Sequence, residues 1–251
     1  PASASGTGAA LPPRTYDRLM SLEYRYLGLR EDPPGLIDYN DAWALQRGIH
    51  AEVAAGGHPG CLMLEHESVF TAGRRTLPEH RPTDGTPVID VDRGGLITWH
   101  GPGQLVGYPI IRLPESVGVV DYIRRVEEAA IRYLAELGIH SGRVRGRAGV
   151  WLAAEGDWPE RKIAQIGVRV AHKTSMHGFA LNVRNDLDWT QTIVPCGITD
   201  AGVTTMALEL GEAPSVLEAA EGMAKHLDIL LEWQPYETSP DVRAEETAPV
   251  P

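Results

Sequence analysis

Cysteine is nearly absent: the 251 residues hold only Cys61 and Cys196. Two cysteines make no disulfide framework, and a reducing cytoplasm with both thiols free is the simplest expectation. No apolar run approaches the roughly 18 residues that cross a bilayer. No secretory leader is read at the start, because Pro1–Pro13 is small, polar and proline-bearing rather than basic and then apolar. Basic charge is short as well. Lys and Arg number 23 against 34 Asp and Glu, a formal net charge of −11 that argues against nucleic acid as a main partner. Familiar catalytic signatures are missing. Gly101-Pro102-Gly103-Gln104-Leu105-Val106-Gly107 fails the G-x-G-x-x-G pattern at Val106. There is no G-x-x-x-x-G-K-[ST] phosphate loop, no G-x-S-x-G or S-x-x-K serine pattern, no C-x-x-C and no H-E-x-x-H. The nine histidines are scattered, so neither a metal site nor a cofactor is expected.

What is present is an ordinary globular composition, long enough for one large domain or two small ones. Residues 1–20 are expected to be a disordered extension and 237–251 a disordered acidic tail, leaving 21–236 as the folded unit. Helices are expected over Asp41–Ala55, capped by Asp41 and stopped by Gly56-Gly57, over Val119–Leu137, and over Ser215–Glu232. Strands are expected at Cys61–Leu64, Val88–Val91, Leu96–Trp99, Leu105–Ile111, Gly149–Leu152, Ile163–Val170 and Gly178–Val183. Pro109 suggests an edge or a bend. The strands come in hairpin-like clusters, which favours α+β, or α/β with a mixed sheet, over a βαβ repeat. The stretch after Gly197 is a candidate C-terminal subdomain.

Three constellations carry possible chemistry. Cys196 stands between Pro195 and Gly197, a setting that shapes a loop rather than a regular element. A free thiol with a pKa of about 8.5 is only a few per cent thiolate at neutral pH, so a nucleophile needs a nearby cation. Lys162, at the start of the apolar run Ile163-Ala164-Gln165-Ile166-Gly167, is the best candidate; the plainer reading is a structural cysteine and a surface lysine. His177 is a candidate base with Asn182 as its orienting group, although strand histidines are more often structural. His100, among glycines and a proline, invites the same question, and His66 reads as a strand-end turn. Cys61, inside an apolar strand, reads as packing. Between Ser141 and Ser175 lies a basic band: Arg143, Arg145, Arg147, Arg161, Lys162, Arg169 and Lys173 against Glu155, Asp157 and Glu160.

Taken together, several segments resemble the octanoyltransferases of lipoate biosynthesis, the lipoyl(octanoyl) transferase family. They are Leu64-Glu65-His66, Thr71-Ala72-Gly73-Arg74, Arg93 through Gln104 continuing to Pro109, Lys162 through Gly167, His177 through Asn182, and Pro195-Cys196-Gly197. The resemblance covers roughly Leu36 to Leu230. It implies a fold like the catalytic domain of biotin and lipoate protein ligases, a mixed β-sheet flanked by helices, and so an α+β class. It implies transfer of an octanoyl group from octanoyl-acyl carrier protein to one lysine of a lipoyl domain, the first step of endogenous protein lipoylation. The acceptors implied are the lipoyl domains of 2-oxoacid dehydrogenase E2 subunits and the glycine cleavage H protein, and the protein is expected as a monomer with no membrane partner. By motif, Cys196 carries the acyl group and Lys162 tunes it. Arg93, Gly94, Gly95, Leu96, Ile97, Thr98, Trp99, His100, Gln165, Ile166, Gly167, Gly178, Phe179 and Ala180 would line the acyl pocket. Because acyl carrier proteins are acidic, Arg143, Arg145, Arg147 and Arg161 are candidates to steer one in. The rival readings are an ATP-dependent lipoate-protein ligase on the same fold, a non-catalytic acyl- or lipoyl-domain-binding protein, and a cysteine hydrolase.

Overall fold

The computed structural model describes residues 22–83, 85–193 and 201–242. Cys196, Pro195 and Gly197 lie outside the described residues, as do the extension at 1–20 and the tail from 243 onward. The chain runs β1 (Glu23–Leu27), α1 (Tyr39–Ala54), β2 (Gly60–Leu64), β3 (Val69–Ala72), β4 (Val88–Asp90), β5 (Ile97–His100), β6 (Gln104–Ile110), α2 (Val119–Glu136), β7 (Gly142–Val144), β8 (Arg147–Leu152), β9 (Arg161–Ala171), β10 (Thr174–Asn182), β11 (Gly202–Val203), α3 (Met206–Leu210) and α4 (Val216–Leu230). The larger sheet has the order β1-β2-β6-β10-β9-β8-β7, with β11 beside the start of β9. Only β1–β2 and β9–β11 are parallel; the remaining neighbours are antiparallel. The smaller sheet has the order β4-β3-β5. This is the expected mixed sheet with helices on its faces.

Local chemistry explains the main elements. The β9–β10 hairpin closes on His172 and Lys173, both at positive φ (51° and 59°), the combination that matches a tight turn to the twist of two strands. Helix α2 buries Tyr122, Val126, Ala130 and Leu134 along one stripe, beside Ala219, Ala220, Met223 and Leu227 of α4. Both helices press on Met63, Leu105, Ile163, Ala164 and Leu181 of the larger sheet. Met206 and helix α4 therefore belong to the main core, and among the described residues after Gly197 no separate subdomain forms. On the opposite face, Ala42, Ile49 and Val53 of α1 cover Leu62, Leu64, Val106 and Ile110. A third, smaller cluster joins Phe70, Ile97 and Trp99 of the small sheet to Trp189 and Ile193. Among the described residues, no helix is long and apolar enough to cross a membrane.

Three expectations change. Helix α1 is capped by Asp38, whose carboxylate accepts from the Asn40 and Asp41 N–H groups at 2.8 and 3.2 Å; Asp41 sits in the first turn, where its charge suits the helix dipole. Pro109 is not at an edge, because β6 is central, between β2 and β10. Pairing with β10 ends at Phe179↔Gly107. Beyond it His177 turns to φ 60° and gives its N–H to Gln46 Oε1 at 2.9 Å, while Ser175 Oγ donates to the Pro109 carbonyl at 2.8 Å. The proline thus occupies a break in the ladder, where its missing N–H costs nothing. The tail expected to be free from 237 begins instead with six docked residues. Arg132 donates to the Glu237 carbonyl, Ser239 to Glu128, and the Val242 N–H to the Arg143 carbonyl.

Candidate active site

A cavity of about 270 Å³ opens between the β9–β10 hairpin on one side and the glycine-rich loop before β5 on the other. Twelve of the fourteen expected pocket residues line it: Arg93, Gly94, Gly95 and Leu96 of the loop, Thr98 and His100 of β5, Gln165, Ile166 and Gly167 of β9, and Gly178, Phe179 and Ala180 of β10. Ile97 and Trp99 do not. Side chains alternate along a strand, so Thr98 and His100 face the cavity while Ile97 and Trp99 turn into the small core against Phe70 and Trp189. Tyr39, Arg75, Tyr108, Lys162, His177 and Gly146-Arg147-Ala148 complete the wall. Tyr39, Arg75, Gly146 and Ala148 were not singled out from the sequence, and Arg147 was named there only as part of the basic band, not of the pocket.

The loop is held from inside. Arg93 is buried, and its guanidinium donates to the Leu96 carbonyl at 2.8 Å and to Thr71 O and Oγ1, both at 2.9 Å. Meanwhile the Gly94 N–H reaches across to the Val168 carbonyl of β9 at 3.0 Å. Arg93 therefore ties the loop to the small sheet, and the Gly94 N–H ties it to the hairpin, which together shape the pocket wall. The cavity is lined by Gly94, Gly95, Gly146, Gly167 and Gly178, and the Phe179 ring packs where Gly107 has no side chain: a Cβ on Gly107 would lie 2.2 Å from that ring.

Lys162 projects into this space. It is 6% exposed, and its ammonium sits 4.6 Å from the centre of the Trp151 ring. No carboxylate lies within ion-pair distance of it among the described residues. The ammonium thus borders the cavity with a π face beside it rather than a carboxylate, which leaves its charge available to a group in the cavity. Cys61, by contrast, is packed in β2, and burial pushes its thiol far above the ordinary range, so it is no nucleophile.

The far wall is polar and neutral. His66 Nδ1 shares a hydrogen with the Ile37 carbonyl at 2.8 Å, so Nε2 accepts from the Tyr108 hydroxyl, also at 2.8 Å. Burial holds His66 down to about 4. His100, held well below its usual range by burial and then by His66 and Arg93, donates through Nδ1 to Gln104 Oε1 at 2.9 Å. Gln104 donates to Asn182 Oδ1, and Asn182 to the Thr204 carbonyl. Asn182 thus braces His100 and does not orient His177. His177 instead gives Nε2–H to Asp92 at 2.8 Å. Burial lowers its titration, with Asp92 opposing. Burial raises the Asp92 carboxyl, but His177 and Arg169 outweigh it and hold it low.

A pH prediction follows from these histidines. Unfolded His66 takes a proton below about 6.5 and folded His66 only near 4, so the unfolded chain binds more protons in between and stability falls as pH falls through that window. His66 alone should cost about 2 kcal/mol between pH 7 and pH 5. Urea unfolding at the two pH values tests this, and an unchanged midpoint would discard it.

The basic band is not a free surface. Arg161 is buried in a two-pronged pair with Glu209, and Arg143 in pairs with Glu127 and Glu128. Arg169 and Lys173 pair with Asp92 and Glu115. Arg145 remains exposed. With Arg74 and Arg75, which the sequence did not single out for this role, it has no carboxylate partner among the described residues. Arg147, which pairs with Glu160 at 3.6 Å, and Arg75 both reach the cavity wall, so the cationic rim lies at its mouth.

Comparison with known proteins agrees with this architecture. The family model of the lipoyl protein ligase A/B catalytic domain matches residues 38–228. An octanoyltransferase of Cutibacterium acnes is 52% identical over 234 residues, spanning 90% of this chain and 86% of that protein. One from Salinispora arenicola is 55% identical over 198 residues, 78% of this chain and 93% of that one. Among solved structures, a bipartite lipoate protein ligase of Thermoplasma acidophilum superposes with a TM-score of 0.62 at 16% identity, over 89% of this chain and 88% of that one. A lipoate-protein ligase A bound with ATP does so with 0.61 at 14% identity, over 89% and 90%. At those identities the structures speak for the fold alone. With the family model spanning most of the folded region and curated relatives above half identity, the chain belongs to the lipoyl protein ligase A/B catalytic domain family, within its lipoyl(octanoyl) transferases.

Proposed function

We propose that this chain transfers an octanoyl group from octanoyl-acyl carrier protein to a lysine of a lipoyl domain, through a thioester on Cys196 with Lys162 as its partner. The observation that carries the reading is the buried Lys162 ammonium, with no carboxylate partner among the described residues, on the wall of a glycine-lined cavity. Its surroundings support it. Val203 pairs with Lys162, and the Thr204 N–H donates to the Lys162 carbonyl at 2.9 Å. Ile193 and Val203, on either side of the segment that contains Cys196, share one apolar cluster. Cys196 is three residue steps along the chain from Ile193, a reach of at most about 11 Å.

The chemistry balances without an external energy source. The Cys196 thiolate, favoured by a nearby cation, adds to the carrier's thioester carbonyl, and the carrier thiol leaves with a proton. The acceptor lysine amine then adds to the acyl-enzyme, an amide forms and the thiol returns. Lys162 holds the thiolate and gives its proton to the departing carrier thiolate in the first half; the neutral amine this leaves takes the acceptor amine's proton in the second, which restores the ammonium beside the released Cys196 sulfur. Each half passes through an oxyanion. The Gly95 N–H, on the cavity wall and without a hydrogen-bond partner among the described residues, is one available donor. Full burial of about six methylenes would contribute roughly 5 kcal/mol to holding the tail.

The test is intact-mass analysis with octanoyl-acyl carrier protein and no ATP, beside Cys196→Ala. One octanoyl group should add, be released by hydroxylamine, be missing in the variant, and discharge onto a lipoyl domain. A reaction that instead needs ATP and free octanoate or lipoate would point to the ligase chemistry. Discharge only to water would point to a hydrolase. The rim gives a second expectation. Reversing charge in Arg74→Glu and Arg145→Glu together should lower kcat/KM for the carrier about tenfold at low salt, flatten its salt dependence and spare kcat. An unaltered salt slope would remove these arginines from carrier docking.

A further inference from the structure

Lys162 faces the cavity because β9 is irregular at that point. The β8–β9 register runs Val150↔Ala164, then Trp151↔Lys162, so Ile163 is an extra residue on β9. Ile163 and Ala164, successive in sequence, both enter the core under α2 and α4. Strict alternation would place Lys162 on Ala164's face, inside that core. The bulge reverses its direction and sets it on the face of Trp151, its cross-strand neighbour, whose ring it covers.

Something must hold the bulge. Gly149 stands beside it at φ 114°, next to Val150, the partner of Ala164, and a Cβ there would lie 2.4 Å from the Ala164 carbonyl oxygen and 3.2 Å from Lys162 Cε. The Gly149 N–H does not join the ladder. It donates at 2.8 Å to Oε1 of Glu127, a fully buried carboxylate on α2. The other oxygen, Oε2, is pinned by Arg124 at 2.6 Å and by Arg143 Nε at 3.2 Å. The carboxylate is thus immobilised by two guanidinium groups and aimed at one backbone N–H beside the bulge.

We infer that Glu127 is a positioning residue: through the Gly149 N–H it holds the β8–β9 bulge that turns Lys162 into the cavity. The inference rests on the proposed role of Lys162 only for its effect on turnover; its effect on geometry stands apart from that role. Two readouts separate them. The Lys162 ammonium lies over the Trp151 ring, so the proton resonances of the ε-methylene bonded to it should be displaced upfield, an observable that needs no substrate.

In Glu127→Leu the upfield displacement should shrink, and kcat for octanoyl transfer should fall about 100-fold with KM for the carrier little changed. Glu127→Gln keeps an oxygen for the Gly149 N–H and should retain the displacement and most of kcat. A folded Glu127→Leu with the parent's Lys162 resonances overturns the inference. Moved resonances with unchanged kcat in the active parent background would uphold the geometry and remove Lys162 from the chemistry instead. Should the loss of Glu127 prevent folding, Gly149→Ala decides. Its methyl group presses on the Ala164 carbonyl with Glu127 intact, and Lys162 resonances identical to the parent's would again overturn the inference.

Discussion

Lys162→Met should lose octanoyl transfer by about 10³-fold while leaving the protein as stable as the parent or slightly more so. Methionine has nearly the length of lysine, fits the space that Gly149 leaves, and suits an aromatic face as well as an ammonium does. The substitution therefore deletes a charge and little else. That charge is buried with no carboxylate beside it among the described residues, so its removal relieves the fold of a desolvated ion. A structural lysine behaves the other way, with activity following stability downward. Lys162→Arg should not rescue transfer: the guanidinium keeps its charge but cannot accept the amine's proton, and its planar fork does not fit the ammonium's place over Trp151. Urea unfolding and the rate of discharge onto a lipoyl domain, measured on the same preparations, check both halves. Full activity in Lys162→Met would end the proposed mechanism.

The sequence revealed Lys162 but not why it points where it does. Ile163-Ala164-Gln165-Ile166 is a continuous apolar run with one polar interruption, and no alternation in it shows where a residue has been inserted. The bulge depends on Gly149 and Glu127, and Glu127 lies on a different element, 22 positions before Gly149. Charge behaved similarly. Counting arginines found a basic band, but Arg143 is consumed by carboxylates 15 and 16 positions away and Arg161 by one 48 positions away. The rim that remains free joins Arg145 to Arg74 and Arg75 from a different part of the chain. Helices α2 and α4 were legible because their buried faces repeat at helical spacing. Strand β1, Glu-Tyr-Arg-Tyr-Leu, was not, since only Leu27 is plainly apolar at its end and its place is fixed by parallel pairing with β2. In β5 the motif identified the segment, and strand alternation decided that Thr98 and His100, rather than Ile97 and Trp99, reach the cavity.

Arg143→Met should cost about 3–5 kcal/mol of stability at neutral pH, a large part of the roughly 5–15 kcal/mol of an ordinary domain. The guanidinium holds Glu127 at 3.2 Å and Glu128 at 2.7 Å and donates to the carbonyls of Arg124 and Ser239 at 2.9 and 3.3 Å. It therefore joins α2, β7 and the docked segment 237–242. Its removal leaves two almost wholly buried carboxylates with fewer cations, which is far costlier than replacing a complete ion network by apolar groups. The pH dependence distinguishes charge from packing. In the parent, burial raises the Glu128 carboxyl, but hydrogen bonds from Arg143, Ser239 and Arg132 outweigh this and hold it below its usual value. That depressed group contributes stability above the unfolded carboxyl's range near 4.5, and the contribution is lost as pH falls through the folded value. In the variant the burial effect is less opposed, so Glu128 takes up a proton at higher pH and the penalty of its charge lifts as acid is added. The stability gap between parent and variant should accordingly narrow from pH 7 to pH 4. Urea unfolding at both pH values measures that gap. A cost equal at both would assign the loss to packing and to the freed 237–242 segment, not to the stranded carboxylates.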